Sequence, residues 1–484
     1  MSRARASQSE QQIGREASGD IELENAGANG DSTTVASLSS TLPNTSNSHP
    51  GFWQKAIPVA AGFTVCSMTC SIVFSYGVYE ALYEDLAEHT NTPFSGTSSA
   101  VIGLIGVLAI AFMTIPGPVV LLWAQLYSPQ LVVSSGGLVF ASALVLASFG
   151  RHPWHFALTQ GLLAGVGSCM SYVITSATVP TWFDRHRGLA LGAVIAGTGV
   201  GGMIWPPILR SLIVRFGFRN TLRISGCVSG TLVGISGYFI KWEPKYAAHV
   251  RAETQKHKKR TFGFVSVAAL DWKVASSGKF LALATGNFLQ AAAYSTPLIF
   301  YASFAQSRGY SATEAANFIT LSNASNFISR IAGGYAADRM GRLNALSIST
   351  ILSAVAVLGF WLPSATCDYT DDCDRKADIL FIIFTVLYGG FASAYISLFP
   401  ASLLELFGVQ HYANVNGALM CLRGLGALLG TPLTALLIPG GTVLVRSTAY
   451  EKAALTVGML MAAVVLFTGS VRIMAVRTGW KWKV

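Results

Sequence analysis

Charge is missing from this sequence in long blocks. No Asp, Glu, Lys or Arg occurs from 57 to 79, 89 to 150, 152 to 183, 188 to 209, 224 to 240, 280 to 307, 343 to 367, 379 to 404, 424 to 445 or 453 to 471. About 20 apolar residues in a helix rise far enough to cross a bilayer core. Most blocks therefore hold one span, and the 62 residues from His89 to Gly150 hold two and a turn. A soluble helical protein needs a polar outer face on each helix, and these blocks have none. Charged residues are 12% of the chain, about half the usual soluble share.

The pattern predicts an all-α polytopic membrane protein of twelve helices, centred near 68, 110, 140, 166, 198, 232, 292, 326, 353, 390, 425 and 462. Residues 1–50, rich in Ser, Thr, Asn, Gly and Glu, read as a disordered cytoplasmic tail. Residues 51–240 form a first six-helix half and 280–475 a second. Between them lies a basic loop, 241–279, carrying Lys241, Lys245, Arg251, Lys256, Lys258, Lys259, Arg260, Lys273 and Lys279. Residues 476–484 close the chain as a second short tail. Lys/Arg placement puts both termini and the 241–279 loop on the cytoplasmic side. Arg210, Arg215, Arg219 and Arg223 then fall in an outer loop between helices 5 and 6, against that orientation.

The net charge of +10 sits largely in the basic loop, beside anionic lipid, and does not indicate nucleic acid. Seven cysteines make no disulfide framework and no CxxC pair. Cys367 and Cys373 flank an acidic outer loop and are candidates for one disulfide on an oxidising side. No metal-ligand set, cofactor site or nucleophile–base arrangement stands out, and the phosphate loop GxxxxGK[ST] is absent. An enzyme and a pump with its own ATPase are thereby disfavoured.

The halves repeat. Gly192–Ile208 (GAVIAGTGVGGMIWPPI) aligns without a gap on Gly417–Leu433 (GALMCLRGLGALLGTPL), 225 residues later. Gly192, Gly199, Gly201 and Pro207 meet Gly417, Gly424, Gly426 and Pro432. Parallel six-helix halves are a known transporter plan, with the substrate near the midplane between them. The run Gly197–Gly202 suggests a dinucleotide fingerprint, but no strand precedes it. Close helix packing through small residues explains it better.

The segment Ser329–Leu346, SRIAGGYAADRMGRLNAL, resembles the loop motif of the major facilitator superfamily, here Gly334, Asp338, Arg339, Gly341 and Arg342. Other stretches resemble the fungal branch of the monocarboxylate transporter family, among them WFDRHRGLALGAVIAGTGVGG (182–202) and NGALMCLRGLGALLGTPL (416–433). The resemblance implies a carrier working by alternating access, with Arg330 matching the family's substrate-binding arginine. Two departures stand out. The first loop-motif copy, after helix 2, lacks its Asp-Arg. The helix-8 acid one turn before the arginine, found in animal members, is here Asn326.

A charge inside a span costs roughly 2.5–3.5 kcal/mol and marks a functional candidate. Arg330 stands alone between Ala315 and Ala337. Asn323, Asn326 and Arg330 share one helix face by their spacing, and a guanidinium can hold a carboxylate by two parallel bonds. The alternative is a structural pair with an acid on another helix. Arg423 is second; a substrate role and bonds to backbone carbonyls or helix ends weigh equally. Asn287, Gln290 and Tyr294 form a polar face on helix 7 that either shapes the site or bonds between helices. Asp338 and Arg339 are assigned to gating, an acid near a helix N-terminus favouring one conformation. Glu80 and Glu405, at helix ends, read as solvated.

The expected function is secondary transport of a small organic anion, a monocarboxylate or a carboxylated metabolite, in a plasma membrane. Protons are the candidate coupling ion. Export of a fungal secondary metabolite is the nearest alternative, and a non-transporting membrane receptor or sensor is the alternative from another class.

Overall fold

Local chemistry sets several helix starts. Ser128 accepts from the Leu131 N–H at 3.2 Å with Pro129 in the first turn, and Ser277 accepts from the Phe280 N–H at 3.3 Å. Ser311 and Glu314 cap each other's backbone, as a capping box does. Hydrogen bonds from Ser311 hold the exposed Glu314 carboxyl below its ordinary range. The computed structural model describes residues 51–183, 185–244, 246–248, 272–366, 371–438 and 447–477. The expected tail 1–50, most of the 241–279 loop, Cys367 and the end of the 476–484 tail lie outside the described residues. So does the side chain of Cys373.

Every element among the described residues is helical. Among the described residues nine helices are long and apolar enough to cross a membrane: Phe52–Glu88, Ser99–Leu126, Pro129–Ala147, Pro153–Trp182, Arg187–Phe239, Arg342–Thr366, Arg375–Gly408, His411–Thr434 and Ser447–Val476. Two more, Gly278–Ser307 and Ala312–Met340, are 30 and 29 residues long. They fall outside the nine because they carry the polar residues discussed below.

The 53-residue helix Arg187–Phe239 replaces the predicted outer loop between helices 5 and 6 with a sharp break at Gly217. The φ of 75° there is one that glycine adopts without a Cβ clash. Gly408, φ 70°, makes the same break inside Asp371–Ala435. The four arginines 210–223 are therefore helical. Arg219 donates to the carbonyls of Ser148 (2.9 Å) and Gly150 (3.1 Å), and Arg223 to Ser148 Oγ at 2.8 Å. Arg219 thus meets carbonyls at the end of the 129–147 helix, where free acceptors remain, and Arg223 the hydroxyl of its Ser148 cap. That is a structural reason for positive charge independent of membrane orientation. Glu84, Asp85 and Glu88 lie with Glu80 on the helix Gly77–Glu88.

The repeated glycines mark equivalent crossings in the two halves. A Cβ on Gly192 would strike the Arg330 carbonyl, and one on Gly199 would lie 3.0 Å from that of Asn323; both are on the 312–340 helix. Their partners face the 99–126 helix: Gly417 meets Pro118 Cα at 3.0 Å and Gly424 the Ala111 carbonyl at 2.6 Å. Gly201 packs on Ser67 and Ser71 of the first helix, and Gly426 on Phe288 of the 278–307 helix. Small residues permit this backbone contact in a lipid-facing bundle. Two of the three pairs of crossings join one half to the other, and Phe52–Val484 is a single compact unit.

Candidate functional site

A cavity lies between the halves. Cys70, Phe74, Met113, Tyr172, Ile195 and Thr198 line it from the first half. Tyr294, Ser295, Arg330, Ile396, Arg423 and Ala427 line it from the second. Both singled-out arginines thus reach one space. None of the lining residues is acidic.

Arg330 is 1% exposed. One terminal nitrogen donates to the Ile195 carbonyl at 2.6 Å and to the Thr198 hydroxyl. Its Nε has no hydrogen-bond partner. Among the described residues no carboxylate comes within ion-pair distance of it, so the structural acid pair is absent there. Arg423 donates to Gln290 Oε1 at 2.6 Å and Asn287 Oδ1 at 3.3 Å, and its guanidinium lies 5.9 Å from the Tyr294 ring centre. Asn287 donates in turn to the Leu419 carbonyl at 2.6 Å and Gln290 to that of Ala392 at 3.5 Å. Tyr294 meets the Ser393 hydroxyl at 3.4 Å. The 278–307 face therefore holds Arg423 by side-chain amides, bonds between helices of the kind its polar spacing allowed, rather than by backbone carbonyls or helix ends.

Asn323 and Asn326 stand differently. Asn323 donates to the Gly202 carbonyl at 3.2 Å and joins the halves. Asn326 is buried with Oδ1 unpartnered. Neither lines the cavity.

About two turns past Arg330, at the end of the 312–340 helix, the halves are tied. Asp338 accepts from the Gly188 and Leu189 N–H groups at 2.9 and 2.8 Å. These are free donors at the start of the Arg187–Phe239 helix, where a negative charge is favoured. Arg342 bridges Asp338, at 3.2 Å, and Glu405. Glu405 is thus ion-paired, not solvated as its helix-end position suggested. Gly334 sits against Gly188 too closely for any side chain, and Gly341, φ 94°, ends the helix. Arg339 points away, 4.5 Å from the Tyr335 ring centre.

Sequence reasoning missed Cys70, Tyr172 and Thr198 as lining residues. Cys70 closes a widened π-type turn, Cys66–Cys70, which no residue pattern announced. Thr198 had one signal: it occupies the position of Arg423 in the other copy of the repeat.

The Major Facilitator Superfamily family model matches residues 61–431. The chain belongs to that superfamily. This facilitator is 26% identical over 416 residues to the agnestins efflux protein AgnL12 of Paecilomyces divaricatus, covering 85% of this chain and 87% of that one. It is 27% identical over 330 residues to monocarboxylate transporter 12 of Xenopus laevis, covering 64% and 68%. Those two likenesses agree with the fungal and monocarboxylate resemblances in its motifs. Its fold matches the crystal structure of the human organic anion transporter MFSD10, TM-score 0.58 at 13% identity, over 86% of this chain and 98% of that one. It is a multi-pass membrane transporter, not an enzyme.

Proposed function

We propose that this transporter moves a small carboxylated metabolite by alternating access, binding its anionic group at Arg330. The observation that carries the reading is that Arg330 and Arg423 line one cavity between the halves with no acidic partner among the described residues. A buried guanidinium bonded only to neutral oxygens keeps its charge available for a carboxylate. The two longer polar helices, Gly278–Ser307 and Ala312–Met340, act as spans in this reading. With Arg187–Phe239 crossing twice they complete twelve.

Alternating access needs a contact that one conformation makes and another breaks. The Asp338–Gly188–Arg342–Glu405 cluster supplies it, tying the halves at the end of the 312–340 helix. Lys/Arg placement puts this end, both termini and the 241–279 loop on the cytoplasmic side of the plasma membrane. Export is the direction favoured by the efflux protein among the relatives.

The test is flux in proteoliposomes loaded with a radiolabelled monocarboxylate such as benzoate. Arg330-dependent movement of the label supports the reading. Flux that is equal in protein-free vesicles, or indifferent to Arg330→Ala, removes it. Protease access to the 241–279 loop in intact cells would overturn the topology.

A further inference from the structure

Arg308, Arg330, Arg342 and Arg423 of the second half have buried side chains, and they divide by what answers their charge. Arg342 meets Asp338 and Glu405, and Arg308 meets Asp378. Arg330 and Arg423 are met by neutral oxygens: a carbonyl and a hydroxyl for one, two side-chain amides for the other. Neutral acceptors fix the direction of a guanidinium and leave its charge uncompensated. Arg423 is the more telling case. Asn287 and Gln290 are themselves anchored to the Leu419 and Ala392 carbonyls, so their oxygens are turned toward the cation. A cation in a membrane span without a counter-charge is costly, and here two of them line the same space. Each is held by its own acceptors on different helices, so each offers a separate fork to a ligand. The tyrosines and apolar side chains that line the same cavity, Phe74, Tyr172, Tyr294 and Ile396, fit a carbon body.

The geometry points to a substrate with two acidic groups: a small organic dianion, one group on Arg330 and the other on Arg423. This rests on the anion reading above and deepens it, since a single carboxylate compensates only one of the two charges.

The probes are benzoate, isophthalate and terephthalate, which share a ring and differ in the number and spacing of carboxylates. Their affinities are measured by calorimetry on the purified full chain in detergent, for the unaltered protein, Arg423→Gln and Arg423→Lys. At least one dicarboxylate binds the unaltered protein tenfold or more tightly than benzoate. That ratio falls to within twofold of unity in Arg423→Gln, and Arg423→Lys, which keeps the charge but not the planar fork, retains part of it. A ratio near unity in the unaltered protein removes the second anchor and leaves the anion reading standing. So does a ratio that survives Arg423→Gln in a monodisperse variant. If none of the three probes binds, the anion reading falls and takes the dianion with it.

Discussion

Arg330, on the second half, donates to the hydroxyl of Thr198, on the first, and Thr198 occupies the position that Arg423 holds in the other copy of the repeat. The cavity is thus asymmetric where the fold is symmetric. One copy supplies a hydroxyl to an arginine from across the interface; the other supplies an arginine of its own.

Arg330→Ala is expected to lower flux at least tenfold while the protein still reaches the membrane. A charge-assisted hydrogen bond contributes about 1.5–3 kcal/mol, which is one to two decades in affinity. Arg330→Lys recovers little, because a point charge lacks the two-pronged geometry. Vesicle flux normalised to protein content checks this, and near-normal alanine flux moves the site toward Arg423.

Asp338→Asn is expected to loosen the closed end. It removes the charge that accepts from Gly188 and Leu189 and that pairs with Arg342. Ala337, 1% exposed beside it, serves as the reporter. An Ala337→Cys thiol reacts with a membrane-impermeant maleimide severalfold faster when Asp338→Asn is added. Unchanged labelling means the cluster does not hold that end shut.

Glycine substitutions separate packing from propensity. Gly192→Ala and Gly426→Ala drive a methyl into the carbonyls of Arg330 and Phe288, an overpacking that costs about 1–3 kcal/mol. Gly234 has nothing within 4 Å, so Gly234→Ala gains about 0.5–1 kcal/mol of helix preference. Thermal unfolding in detergent should rank the first two below the parent and the third at or above it. Equal midpoints for all three would contradict the crossings described.

Asn326→Asp is expected to make transport depend on pH. The new acid lies one turn before Arg330. Ionised, it competes with the anion for the guanidinium; protonated, it releases it. Flux of the variant therefore falls as pH rises, whereas the parent, with an amide that cannot titrate, shows a shallower profile. Parallel profiles for the two proteins would mean that residue 326 has no influence on the arginine.

Much of this was legible in one dimension because lipid imposes its demands residue by residue. A stretch that crosses hydrocarbon must be apolar along its length, so the spans, the repeat and the isolated Arg330 and Arg423 can be read from order alone. The Gly-Asp-Arg-Gly-Arg segment likewise carries its resemblance in sequence. What order does not carry is which helix faces which. Glu405 read as solvated until Arg342 was found beside it, 63 residues away. The arginines at 219 and 223 counted against the orientation until Arg219 met the carbonyls of Ser148 and Gly150 and Arg223 the hydroxyl of Ser148. Asn323 shares a helix face with Arg330, yet it bonds to Gly202 and stays out of the cavity. Composition determined that this chain lives in a membrane. Only the packing of one half on the other decided which buried polar groups are already satisfied and which two charges line the cavity with no carboxylate in reach among the described residues.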